Sequence, residues 1–325
     1  MALMGRIWSL PLCLCLALGV FVPQVCPQSA DPAGPPAAPT DTASSPVKKP
    51  SAADRGGFFH RFGKAYWDDW TGAAEEGPDL PRRGYPAPVS TPPFPFSDWP
   101  YGGSPTIGAP DTDGGPLMTA IYEGKHGKSW EDSRIKIYGW LNGGFNVSTS
   151  EKHYGNAPAA YYLQPNSVQL DQAAVYIERA ADTVQNDHFD WGFRLTQLYG
   201  VDYRFTTASG YFSQQLLKNN NKYGYDPVMA YVDLYWGEIA DGMDIRIGRY
   251  ISLPDIEAQL APDNYTYSHS ILYTYDAYTQ TGINVTTKLT NHWMFQVGLS
   301  AGNDVAPWIG EPNAKPTLNA CVGYT

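Results

Sequence analysis

Side chains capable of chemistry are present in this chain, but not at the spacings that chemistry needs. The six histidines, at positions 60, 126, 153, 188, 269 and 292, are scattered, with no pair at ligand spacing. No metal centre is expected from them. The run DTDGG at 111–115 starts as a calcium loop does but lacks the later oxygen ligands, so it reads as a turn. There is no Gly-x-Ser-x-Gly elbow, no phosphate-binding Walker loop, no dinucleotide glycine pattern and no His-Glu-x-x-His. Asp255 and Glu257 stand two apart and could serve as paired carboxylates; solvated loop charges are the plainer account. Cys321 has no titratable neighbour close in sequence to activate it. The expectation is a protein that is not an enzyme and carries no cofactor.

A different use of charge is visible. Lys136, Arg194, Asp233, Asp244, Arg246 and Asn284 each sit between apolar residues, one polar position at a time, and Lys288 continues the same parity between Thr287 and Leu289. Side chains so placed can line a water-filled bore, where opposed charges set a transverse field and bias which solutes pass. The segment 251–279 adds Asp255, Glu257, Tyr265, Tyr267 and Tyr273, candidates for a loop that narrows such a bore. An external lid is the competing role for that loop.

The elements that would carry these residues are strands. Eight stretches alternate with period two: Arg134–Ser148, Val168–Ala180, Phe189–Val201, Val228–Trp236, Met243–Tyr250, Gln280–Leu289, Trp293–Ala301 and Thr317–Thr325. Most are close to the roughly 9–11 residues that a tilted strand needs to cross a bilayer. Connections between them run long, short, long, short, long, short, long. A meander whose ends face two compartments behaves this way, and a β-sandwich gives no reason for it. One side of most strands is apolar, as in Trp191, Phe193, Leu195, or Val228, Ala230, Val232, Leu234. Strand two is the poorest, because Asp171 and Arg179 share the parity of Val175 and Ile177. Trp236 and Trp293 fall beside short turns, where an aromatic girdle belongs. The expected fold is all-β: an antiparallel transmembrane barrel of outer-membrane type, with eight strands visible.

The rest of the chain fits an exported protein. Arg6 precedes an apolar run, Leu10 to Val22, of secretory-signal length, so residues 1–28 read as a signal peptide. Residues 29–133 form a Pro/Gly/aromatic-rich leader, expected to be largely disordered, with a short amphipathic helix at 58–74. Residues 134–325 form the barrel domain. The formal charge of −10 disfavours nucleic acid as a partner.

Two segments carry a family resemblance. RIKIYGWLNGGFNVS (134–148) resembles the opening strand of the Gram-negative family named Putative beta-barrel porin-2, OmpL-like. The segment 246–283 resembles its pattern of a Gly-Lys/Arg-aromatic strand end, nearby acids, Asn, Tyr-Ser-x-Ser and a Thr-Gly strand start. Here those are Gly248, Arg249, Tyr250, Asp255, Glu257, Asn264, Tyr267, Ser268, Ser270, Thr281 and Gly282. The likeness implies an outer-membrane barrel through which small hydrophilic solutes diffuse, with lipid and polar solutes as its partners. The alternative is a barrel anchor whose loops and leader bind a partner or the cell wall. Porins of this type often trimerise, so a homo-oligomer is a further expectation. Members have barrels of more than eight strands, so a fragment is expected and an eight-strand closure is the alternative.

Overall fold

The computed structural model describes residues 56–73, 83, 107–108, 115–149, 156, 161, 164–251, 277–310 and 313–324. The signal stretch and the loop candidates Asp255, Glu257, Tyr265, Tyr267 and Tyr273 lie outside the described residues.

Eight strands form a single antiparallel sheet in sequence order. They are β1 (Lys136–Phe145), β2 (Val168–Arg179), β3 (Phe189–Gly200), β4 (Gly224–Trp236), β5 (Met243–Ile251), β6 (Thr279–Lys288), β7 (Trp293–Asn303) and β8 (Thr317–Tyr324). Short connections (180–188, 237–242, 289–292) and long ones (146–167, 201–223, 252–278, 304–316) alternate, so all short turns lie at one end. The sheet is not closed: β1 and β8 do not pair among the described residues. No helix among the described residues is long and apolar enough to cross a membrane, which says nothing about strands.

The sheet is inside out by the standard of a water-soluble protein. Leu141, Val175, Leu195, Val232, Ile247, Ile283, Phe295, Leu299, Leu318 and Val322 are exposed. On the opposite face Lys136, Glu178, Thr196, Asp233, Asp244, Arg246, Asn284, Thr286, Lys288 and Gln296 are buried. Register explains the segregation. Gly192, Asp233, Arg246, Asn284, Gly298 and Asn319 lie side by side across β3 to β8. The neighbouring row is Phe193, Val232, Ile247, Ile283, Leu299 and Leu318, on the other side. Since successive side chains point to opposite faces, one register sorts all six strands at once.

Besides a register shift between Gln280 and Gly282 where β6 meets β7, three irregularities bear on the inner face. Asp171 is an extra residue in β2 where the β1 register shifts between Asn142 and Gly143. The bulge turns Asp171 and Gln172 both inward, so Asp171 does not share the outer face with Val175. A second shift sets Pro227 and Val228 against Gln197 alone. Val228 is therefore fully buried, not on the exposed face as alternation requires. Pro227 also hides the first turn of β4 from a sequence reading, because proline is tolerated in strands mainly at bulges. The third is Gly248, at φ 139. The residue after it, Arg249, is buried instead of exposed.

The apolar part of the inner face gathers toward the long-loop end. Tyr176, Leu198, Val228, Met229, Tyr231, Tyr250 and Ile251 form one cluster, with Tyr138 and Trp140 packed against it. Outside the sheet, α1 (Phe58–Thr71) ends at left-handed Gly72, whose N–H donates to the Asp68 and Asp69 carbonyls. It lies against α2 (Gly115–Tyr122), where Arg61 Nε donates to the Ala120 carbonyl at 3.0 Å. Next, α3 (Gly127–Ser133) leads into β1.

Gly248 makes a test of this geometry. An alanine Cβ there would stand 2.2 Å from the Ala230 carbonyl oxygen, in a backbone conformation that L side chains rarely adopt. Gly248→Ala is expected to cost roughly 1–3 kcal/mol, measured by urea unfolding of the refolded protein in detergent.

Candidate functional site: the polar inner face

All seven residues singled out from alternation, Lys136, Arg194, Asp233, Asp244, Arg246, Asn284 and Lys288, have the inward parity of their strands, and the structure gathers most of them into ion-paired groups. Arg246 meets Asp233 through two parallel bonds, Nε–Oδ1 at 2.7 Å and Nη2–Oδ2 at 2.9 Å. Its guanidinium also lies 3.8 Å from the centre of the Tyr231 ring. A two-pronged, ring-backed arginine is held in both distance and plane. Glu178 receives Arg194 Nε at 2.6 Å and the Tyr138 hydroxyl at 3.0 Å, with Lys136 Nζ at 3.7 Å. Register puts these in one row, Lys136–Glu178–Arg194–Tyr231. Lys288 lies lower, at the short-turn end, where Asp241 Oδ2 is 2.5 Å from its ammonium. Asp244 is buried with both carboxylate oxygens lacking a hydrogen-bond partner among the described residues.

Several inner-face residues escaped the sequence reading. Glu178 stands next to Arg179 in the strand with the poorest alternation, so parity alone does not single it out. Asp226 and Arg249 form a pair at 2.8 Å, both side chains 1% exposed. Arg249 Nη2 also donates to the Thr206 carbonyl at 2.7 Å, binding the long connection 201–223 to the sheet. Simple parity points Arg249 outward, and only the positive φ at Gly248 reverses it. Arg179 keeps its outward parity, but at the strand end it turns to Asp190, 3.0 Å away, and covers the Trp191 ring at 4.5 Å.

The long-loop end has its own buried acids. Ser209 and Val305 form a parallel bridge between the connections 201–223 and 304–316. Asp304 accepts the N–H groups of Tyr278 and Thr279 at 3.2 and 2.8 Å. Asp202 accepts from Gln172 Nε2 at 3.0 Å, and its other oxygen has no partner among the described residues. Burial pushes the Asp202 carboxyl well above its ordinary range, with the Gln172 bond opposing. At the short-turn end, Phe189 contacts Trp236 at 5.1 Å and Trp293 contacts Tyr324 at 4.8 Å. Each of the two tryptophans named from the sequence thus has an aromatic partner beside a short turn.

Two outcomes follow. Arg246→Ala leaves Asp233 buried without its cation, beside Asp244, and is expected to destabilise by about 3–5 kcal/mol; unfolding midpoints in detergent read this. For Asp202 the folded group keeps its proton at a pH where the unfolded chain, with a carboxyl near about pH 4, has lost it. The stability it contributes is full below that value and disappears as pH rises through the folded value. Asp202→Asn should be at least as stable as wild type at about pH 8 and should lack that part of the pH dependence, as followed by unfolding across pH.

No curated protein and no solved structure matches the chain. A family model described as Putative beta-barrel porin-2, OmpL-like, matches residues 134–325, the whole of the eight-stranded sheet. A meander of eight strands with its apolar side out and its polar side in accords with that description, and the chain belongs to the Putative beta-barrel porin-2, OmpL-like family.

Proposed function

We propose that the chain forms an outer-membrane channel for passive diffusion of small hydrophilic solutes. Lipid meets the exposed side chains, and the polar inner face lines the path. The observation that carries this reading is the inversion of the two faces. A lysine or arginine turned to lipid at mid-depth costs roughly 2–4 kcal/mol. The exposed mid-strand positions, Val232, Ile247, Ile283, Val175 and Leu195, hold none. Further support comes from buried inner-face atoms without hydrogen-bond partners among the described residues, the Asp244 oxygens, Thr196 Oγ1 and Gln280 Oε1. Buried polar groups of this kind call for water. Transport here is geometric and electrostatic, with no turnover and no bound group.

A second reading, a barrel anchor whose leader binds a partner, draws on α1. Phe59, Tyr66, Trp67 and Trp70 are exposed along that helix. Planar bilayers separate the two. The channel reading expects discrete conductance steps from the folded protein, and a shift toward anions in Glu178→Gln, which removes the counter-charge of Lys136 and Arg194. Reversal potentials in a salt gradient measure the shift. Silent bilayers from well-folded protein, with binding retained by the leader, would favour the anchor.

A further inference from the structure

Two of the short turns meet a residue that neither contains, and the third reaches it through Lys288. Arg83 belongs to the leader, 100 positions upstream of its first turn partner, 158 upstream of the second and 205 upstream of Lys288. Its Nε donates to the Val184 carbonyl at 2.8 Å, in the β2–β3 turn. Its Nη1 donates to the Asp241 carbonyl at 2.8 Å and to Asp241 Oδ1 at 2.5 Å, in the β4–β5 turn. Its Nη2 donates to the Tyr235 hydroxyl at 2.7 Å and to the Thr183 carbonyl at 3.1 Å. The Arg83 carbonyl in turn accepts from Lys288 Nζ at 3.1 Å, and that ammonium also reaches Asn291 Oδ1 in the β6–β7 turn at 3.2 Å.

A second point of the leader sits beside it. Arg83 N donates to the Gly108 carbonyl at 2.9 Å, and Gly108 N donates to Thr183 Oγ1 at 3.2 Å. Ile107 is 3% exposed. It lies against Gly242, where an added Cβ would meet its Cγ2 at 2.7 Å. Tyr235 and Lys288 are inward-facing side chains with no exposure. Arg83 therefore enters the short-turn mouth from within, under the inner face, and does not rest on the outer rim.

We propose that the short-turn end of the barrel is a receptor for the protein's own leader, with Arg83 as the ligand and Ile107–Gly108 as the second contact, and that this docking sets the width and charge of that mouth. Guanidinium suits the place because turn carbonyls and a carboxylate surround it in several directions, and a planar fork of five N–H donors can serve them together. Asp241 is shared between two cations, Arg83 and Lys288, so this group of three carries one positive charge in excess when the leader is docked. Docking stands on the contacts alone; the effect on the mouth rests on the channel reading.

The test uses the full chain folded in detergent. Trypsin cleavage of the bond after Arg83 is followed by mass spectrometry. In wild type that bond is expected to resist. In Tyr235→Phe/Asp241→Asn, which removes two of the side-chain partners, cleavage should rise at least tenfold. Arg83→Lys keeps the tryptic site and the charge but not the fork, and should cleave at a rate between these, which preserves the test if the double variant does not fold. Equal cleavage in all three overturns docking. In planar bilayers Arg83→Ala should conduct more than wild type and select anions less strongly. Equal conductance and selectivity in the two overturns the role in the mouth. A protected bond with silent bilayers supports docking and overturns the channel reading.

Discussion

Turning the apolar side of the strands outward gathers the charged side chains on one crowded inner face, and that constraint shapes the rest of the structure. In a water-soluble sheet an unpaired charge can face solvent at small cost. Here an inward cation needs an anion at the right register position on the next strand. Asp233 on β4 lies directly across from Arg246 on β5, and Glu178 on β2 directly across from Arg194 on β3. Cross-strand neighbours on one face stand close enough to pair without distorting the backbone. Replacing one partner leaves a desolvated charge, which is costly even where the pair itself contributes little net stability. The inner face is thus fixed as sets of residues, not as independent positions.

That dependence explains how much was legible beforehand. Strand number, order, the alternation of short and long connections, and most strand boundaries follow from a two-residue hydrophobic period and from turn spacing, both local features. Trp293 to Ala301 can be assigned to a strand, and its outward residues named, without knowing its neighbours. The same parity assigned all seven inward candidates their face. It could not assign them partners, because pairing is a property of register between strands. Lys136 and Lys288 look alike in sequence, yet one shares Glu178 with an arginine and the other is held at the turns by Asp241.

What local pattern misread, it misread for physical reasons. An extra residue at Asp171 and a pair at Pro227 and Val228 each shift the phase of the alternation. The bulge at Asp171 leaves no mark in composition and is visible only against the opposite strand, whereas Pro227 signals a break without giving the register on its far side. Beside Gly248, at φ 139, Arg249 leaves the alternation while Tyr250 keeps its inner face, and glycine alone does not announce which angle it will take. The consequence was the loss of Asp226 and Arg249 from the inner set, although their pairing is among the most buried in the sheet.

The leader shows the limit of the approach more sharply. Its composition, rich in proline and glycine, argues against a domain with its own core. It does not bear on a few residues that borrow their order from the sheet. Arg83 requires no secondary structure of its own; the turns supply rigid carbonyls and the leader supplies one fork of donors. A segment too poor in apolar residues to fold alone can be ordered at isolated points where a preformed polar site offsets the entropy of holding it. The short turns, read from sequence as mere connections, are then the part of the barrel where distant stretches of the chain are brought into contact.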